Sequence, residues 1–375
     1  MNFIGIDLHT NRFTCCYRDE RSSVENPSKG RMIKTFDLDA EGLAEFYQTL
    51  TDQSYVLVEA TITTFSFVRL LSSRVKEVFI ANTYELKQVS LARCNTDKID
   101  ADKLCRILKA QVLSGERLVS PVTLAPPEIQ QLRSLFTTYR LFQKQKTQLK
   151  NRIHSLLKEQ LYGFTQEEIF DKRSRQRIRS VSPGTVLHFQ VNQLLDRLER
   201  EEAEDVQKLK ERILLEAEPF MRQIEILTSM KGVSVFMAIA IIADIIDVSR
   251  FKDSKSFTSY LRSAPRVSNS NTSESIRGTN KKGRKVSATL LTQSLNHVMS
   301  ASVKLRRWYE KLCAYKKAGL VRTGLRRRVL AEIYQMLKKG EYHYARDPRN
   351  HEAKMAQYRR FLEKHKNNTI LKKRA

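Results

Sequence analysis

The chain of 375 residues lacks long apolar runs: no stretch of 18 apolar residues occurs, and no lipidation signal is present, which argues against a membrane-spanning or lipid-anchored protein. Its N-terminus, MNFIGIDLHT, has no basic lead, and Asp7 interrupts the apolar segment, unlike a signal peptide. Cysteines number five (Cys15, Cys16, Cys94, Cys105, Cys313) with no CxxC pair, so a zinc site is not expected and free thiols in a reducing cytoplasm are. Seven histidines, at 9, 154, 188, 297, 343, 351 and 365, are too scattered to indicate a metal site. Twelve glycines leave no room for a set of Gly-rich phosphate loops. Negative charge is also scarce: 41 Asp+Glu stand against 67 Lys+Arg, a net charge of +26. Such an excess favours a polyanionic partner, nucleic acid first.

The charge is unevenly spread. Residues 1–110 carry 15 basic and 15 acidic side chains, whereas residues 301–375 carry 22 basic and 6 acidic. The first region can therefore concentrate carboxylates, and the last attracts phosphate. With 41% apolar and 29% charged residues, the chain reads as globular.

Along the chain, Phe3–Ile6, Arg12–Tyr17 and Met32–Phe36 read as a β-meander, followed by a helix over Ala40–Leu50 and a buried strand over Tyr55–Glu59. A helix over Thr63–Leu71, a strand over Val78–Ile80 and a helix over Thr83–Ala92 complete an α/β domain at 1–125. Pro126-Pro127 marks its boundary. Beyond it a 3,4 repeat (Leu132, Leu135, Tyr139, Phe142, Leu149, Ile153, Leu156, with Lys146 in the seam) predicts a long helix of coiled-coil character, paired with a second over Val191–Leu215 in a hairpin or oligomer seam at 126–222. Residues 223–345 form a mostly helical third region. There Met230-Lys231-Gly232-Val233 before the apolar Phe236–Ile246 resembles a helix–hairpin–helix whose backbone N–H groups can meet phosphates. A Ser/Asn-rich basic loop at 262–285 and helices over Ala288–Lys311 and Thr323–Lys338 follow, and 346–375 reads as a basic tail.

Four acids stand where chemistry is possible. Asp7 and Glu59 each end an apolar strand, and Asp97 and Asp100 lie one helical turn apart. Together they could cage one or two Mg²⁺ ions, which prefer hard oxygen ligands. Plainer roles stand beside this: Asp7 as a turn residue, Asp97 and Asp100 as helix caps. Asp102 reads as a solvated neighbour.

Ile4-Gly5-Ile6-Asp7, Val58-Glu59-Ala60 and Thr96-Asp97-Lys98-Ile99-Asp100-Ala101-Asp102-Lys103-Leu104 resemble the RuvC-like domain of the DEDD transposases, the bridge-RNA-guided insertion-sequence recombinases related to Piv-type DNA invertases. Lys150-Asn151-Arg152-Ile153-His154 resembles the family's coiled-coil signature. Met230 to Ile245, Arg250-Phe251, Tyr260-Leu261 and Ala264-Pro265-Arg266 resemble its C-terminal transposase domain. The resemblance implies an α/β RNase H-like (RuvC-like) N-terminal domain, a long helical coiled-coil insertion and a mostly α-helical C-terminal transposase domain.

It further implies that Asp7, Glu59, Asp97 and Asp100 bind Mg²⁺, and that a serine of the C-terminal domain, aligned with Ser270, is the nucleophile. The family's glycine after that serine is Asn271 here, and Ser268, Ser273 and Ser275 share the segment. A serine ester on phosphorus would conserve the bond for rejoining, and the metal cage of the first domain would meet Ser270 of the second. The implied partners are double-stranded donor and target DNA, a noncoding guide RNA, and further copies of the chain, a homodimer assembling to a tetramer, in a bacterial cytoplasm at the nucleoid. Arg262, Arg266, Arg277, Lys281, Lys282, Arg284 and Lys285, with Arg322, Arg326, Arg327 and Arg328, are the candidate nucleic-acid ligands. Alternatives are an RNase H-like junction-resolving nuclease using metal-activated water, an actin-like sugar kinase, and a non-enzymatic nucleic-acid binder.

Overall fold

The computed structural model describes residues 1–21, 30–83, 86, 96–270, 273–279 and 283–374, and the chain divides into two compact units, 1–125 and 126–375. In the first unit, β1 (Asn2–Leu8), β2 (Arg12–Asp19) and β3 (Arg31–Asp37) form the expected antiparallel meander. After α1 (Ala40–Gln48), the chain returns as β4 (Ser54–Glu59), parallel to β1. It then crosses through α2 (Thr64–Leu71) to β5 (Glu77–Ala81). The sheet order is β3-β2-β1-β4-β5. The expected helix over Thr83–Ala92 falls largely outside the described residues.

Period-two alternation divides the sheet's apolar residues between two faces. Ile4, Ile6, Phe13, Val56 and Val58 pack with Phe46 of α1 and Phe67 of α2. Phe3, Tyr55 and Leu57 pack on the other side with Ala101, Leu104, Cys105 and Leu108 of α3 (Asp97–Ser114). Both faces of β4 are covered, which is why its sequence is a continuous apolar run. This mixed five-stranded sheet with helices on both faces is the RNase H-like arrangement the resemblance implied.

The second unit is largely helical. α4 (Pro127–Glu159) starts with proline in its first turn, where a missing N–H costs nothing. Short helices α5 (Gln166–Phe170) and α6 (Arg175–Arg179) lead to α7 (Val186–Arg200), which continues through a π-turn at Glu201–Asp205 into α8 (Val206–Glu216). The second long helix thus starts earlier than Val191 and carries an interruption. Ile153, Leu156 and Leu157 of α4 pack on Val191, Leu195 and Leu198 of α7. Lys146 sits 3.3 Å and Lys150 3.4 Å from Glu202, which also meets Arg175 at 2.9 Å. The seam lysine is therefore accommodated by a buried carboxylate.

α9 (Met221–Thr228) precedes α10 (Val235–Ile245), in which every residue from Met237 to Ile245 is buried. The turn at Gly232 has φ +91°, and a Cβ there would lie 2.8 Å from the Val298 backbone nitrogen, so this side of the turn faces protein rather than a phosphate. α11 (Ser254–Tyr260) follows, then a two-stranded hairpin of β6 (Pro265–Ser270) and β7 (Ser273–Thr279). The Ser/Asn-rich stretch expected as a loop is therefore paired over most of its length: its side-chain chemistry suggested irregular backbone, and cross-strand hydrogen bonding overrode it. The helix expected over Ala288–Lys311 is two, α12 (Val286–Ser300) and α13 (Val303–Cys313), because Ser302 caps a new start by accepting from the Leu305 N–H. α14 (Ala318–Lys339) ends at Gly340, φ +71°.

The basic tail is a helix, α15 (Pro348–Arg374). His351, Met355, Tyr358 and Leu362 recur at helical spacing and are buried, and the Tyr358 hydroxyl donates to the Leu214 carbonyl at 2.7 Å. Lysines and arginines dominate the composition and hide this stripe. No helix among the described residues is long and apolar enough to cross a membrane.

Candidate metal centre

The site lies at the carboxyl ends of β1 and β4. Their parallel register pairs Ile6 with Val58, so Asp7 and Glu59 come next on adjacent strands. By alternation they point to the face that α3 covers. α3 approaches β1 closely because of Gly5: a Cβ there would lie 2.2 Å from the Cys105 nitrogen and 2.3 Å from the Ala101 carbonyl oxygen. Two residues past that contact stands Asp7, and one turn before Ala101 stands Asp97.

Thr96 caps α3, its hydroxyl accepting from the Ile99 N–H. Neither Asp97 nor Asp100 is needed for that role, and both occupy the first turn, where the helix dipole favours negative charge.

Asp7, His9 and Asp97 each offer a ligand atom, all within 4.8 Å of one another. His9 Nε2 is 3.2 Å from Asp7 Oδ2 and 3.4 Å from Asp97 Oδ1, and Arg12 Nη2 donates to Asp97 Oδ2 at 3.3 Å. Burial raises the Asp7 carboxyl above its usual range, His9 pulls it back, and Asp97 and Asp100 push it up again. Asp100 thus feels Asp7, although its Oδ1 accepts from Lys103 at 2.9 Å. Glu59, half-buried, and Asp100 lie outside the tight group.

The donor chemistry suits a divalent cation. Hard carboxylate oxygens converge from two segments, their mutual repulsion is only partly offset by one imidazole and one guanidinium, and a dication would relieve the remainder. His9 and Arg12 were not foreseen. The signal for His9 was the Asp7-Leu8-His9 spacing at a strand end. Arg12 has none, because only the β1–β2 turn returns it to Asp97.

Asp102 is not a solvated neighbour. Its side chain is 7% exposed and accepts from Arg18 Nη2 at 2.6 Å, Arg18 Nε at 3.2 Å and Cys16 Sγ at 3.3 Å, with Arg106 at 2.8 Å. Burial opposes its charge, but the bonds from Arg18 and Cys16 hold the carboxyl below its usual range. Its helical position turns it toward β2 rather than toward water.

Ser270 ends β6, its backbone paired with Ser273; its side chain and those of Arg266 and Arg277 lie outside the described atoms, as do Lys281 and Lys282 entirely. Arg326 is engaged within the protein. Its guanidinium donates to Ser263 Oγ, Thr292 Oγ1 and the Arg262 carbonyl at 2.9, 2.9 and 2.6 Å, pinning the base of the hairpin. Arg262 donates through Nε to the Gly283 carbonyl at 2.6 Å. Arg327 and Lys285 are exposed.

Two family models match. Residues 4–161 match the DEDD domain of IS110 elements, described as "Transposase", and residues 224–310 match the model described as "Transposase IS116/IS110/IS902 family". No curated protein matches.

Proposed function

Because the chain belongs to the IS110 family of transposases, enzymes of phosphoryl transfer on DNA, we propose that it cuts and rejoins DNA with a serine nucleophile and a Mg²⁺-binding carboxylate cluster, under the guidance of a noncoding RNA. The observation that carries this reading is the convergence of Asp7 and Asp97 on His9 beneath the start of α3. Asp7 and Asp97 would hold the ion, with Asp100 and Glu59 completing the cage. When bound there, Mg²⁺ would supply Lewis acidity and offset negative charge on the phosphodiester.

The chain's own groups do the rest. The Ser270 Oγ attacks phosphorus and loses its proton; the O–P bond to one DNA strand breaks, and that oxygen leaves with a proton. One phosphodiester is exchanged for another, so the reverse attack by a DNA hydroxyl can rejoin ends without an energy source. A water nucleophile would forfeit this. Lys285, Arg284, Arg322, Arg327 and Arg328, with Arg266, Arg277, Lys281 and Lys282, supply cations for the backbone of donor and target duplexes and of the RNA. Arg262 and Arg326 serve the hairpin that carries Ser270. The working form would be a dimer that assembles to a tetramer on DNA.

The test is incubation with donor and target DNA, the element's RNA and Mg²⁺, followed by denaturing electrophoresis. A protein-linked DNA band is expected; Asp7→Asn and Ser270→Ala each remove it while duplex binding persists. Metal-dependent nicking without an adduct would replace the serine by water.

A further inference from the structure

A cavity of about 440 Å³ opens in the second unit between α14 and the connection 340–347. Its walls include Arg328, Glu332, Lys339, Tyr342, His343 and Tyr344. The connection is held firmly. Gly340 leaves α14 in the left-handed conformation, and the Arg222 guanidinium donates to the Gly340 carbonyl and the Tyr342 hydroxyl, both at 3.0 Å. The Tyr342 ring lies under two guanidinia, Arg346 at 4.6 Å and Arg222 at 5.1 Å from its centroid.

His343 uses both ring nitrogens. Nδ1 accepts from the Ala345 N–H at 3.3 Å, so Nε2 carries the proton it gives to Glu332 at 3.2 Å. The fixed imidazole lies 4.3 Å from the Tyr344 ring. Tyr344 is nevertheless 77% exposed. An aromatic ring that meets one fixed neighbour at a tilt and is otherwise largely exposed is a stacking surface open to a planar partner. The same walls carry Lys339 for a phosphate and the carboxylate of Glu341, which can accept from base amino groups.

We propose that this cavity receives one unpaired nucleotide of single-stranded nucleic acid, its base stacked on Tyr344 and its phosphate near Lys339. This rests on the reading above that the protein handles DNA and RNA, and adds a subsite that separates unpaired from paired strands. Within a duplex both faces of a base are covered by its neighbours, so only an unstacked base can use the ring. The cavity volume falls in the range of about 300–1,000 Å³ typical of small-ligand sites, enough for one nucleotide and too small for a base pair with its neighbours.

The experiment measures binding of the full chain to a short single-stranded RNA, a single-stranded DNA of the same sequence, and the DNA duplex, by fluorescence anisotropy. Tyr344→Ala should weaken single-strand binding about tenfold and leave the duplex unchanged, whereas Tyr344→Trp retains it. Which strand loses more identifies RNA or DNA as the source of the nucleotide. Lys339→Ala should weaken the same ligand and lower its salt dependence. Because Tyr344 is exposed, an unchanged melting temperature will accompany the loss. Equal single-strand affinity in wild type and Tyr344→Ala overturns the inference, even if Mg²⁺-dependent DNA joining proceeds normally. Absence of joining by the wild-type chain would instead sink the functional reading and leave this measurement interpretable.

Discussion

Replacing Gly5 by alanine adds a single methyl group at the point where α3 rests on β1. Its carbon would lie 2.2 Å from the Cys105 nitrogen and 2.3 Å from the Ala101 oxygen, against ordinary contacts near 3.5–4.0 Å. Both partners are helix backbone, so no side chain can swing aside; α3 must retreat by more than about 1 Å. Overpacking of this kind costs on the order of 3 kcal/mol. For a unit of 125 residues that lowers the melting temperature by roughly 10 °C. Asp97 and Asp100 travel with α3 while Asp7 stays with the sheet, and a shift of that size in reacting groups costs about 100-fold in rate. Differential scanning calorimetry reads the first effect and a Mg²⁺-dependent cleavage assay the second. A Gly5→Ala chain with wild-type melting and wild-type cleavage would refute the claim that this contact sets the spacing of the acids.

Thr96→Ala removes the α3 cap and should cost about 1 kcal/mol by thermal denaturation with cleavage retained, whereas Asp97→Asn abolishes cleavage with little loss of stability. The seam carboxylate gives a pH signature: burial opposes its charge, but Arg175, Lys146 and Lys150 bring Glu202 down to about 2 from the ordinary 4.5. Its contribution is therefore complete above about pH 4.5 and disappears as pH falls toward 2. Glu202→Gln should flatten that window and cost about 3 kcal/mol at neutral pH by removing the carboxylate that Lys146, Lys150 and Arg175 share, which urea unfolding across pH measures. Arg327→Ala should weaken duplex binding for every sequence and reduce the slope of log K against log salt by about 1. Arg326→Ala should instead lower the melting temperature, since it removes three internal hydrogen bonds.

Residue order alone determined the elements whose signal is local. Alternation and β-branched runs mark β1, β2 and β4, the 3,4 repeat marks α4, and Asp7 and Glu59 are visible as acids closing apolar strands. The charge asymmetry, too, is written in composition. Only the fold decided which charges meet. Asp102 and Asp97 look alike five residues apart, yet one is buried against Arg18 and the other faces His9 and Arg12, because a helix rotates its side chains by about 100° per residue. Arg326 and Arg327 are neighbours in a basic run, yet one is bound inside the protein and the other is exposed. The burial of α15 depends on partners distant in sequence, such as the Leu214 carbonyl that Tyr358 meets, whereas the serine hairpin pairs neighbouring segments whose Ser/Asn-rich composition hides the strands.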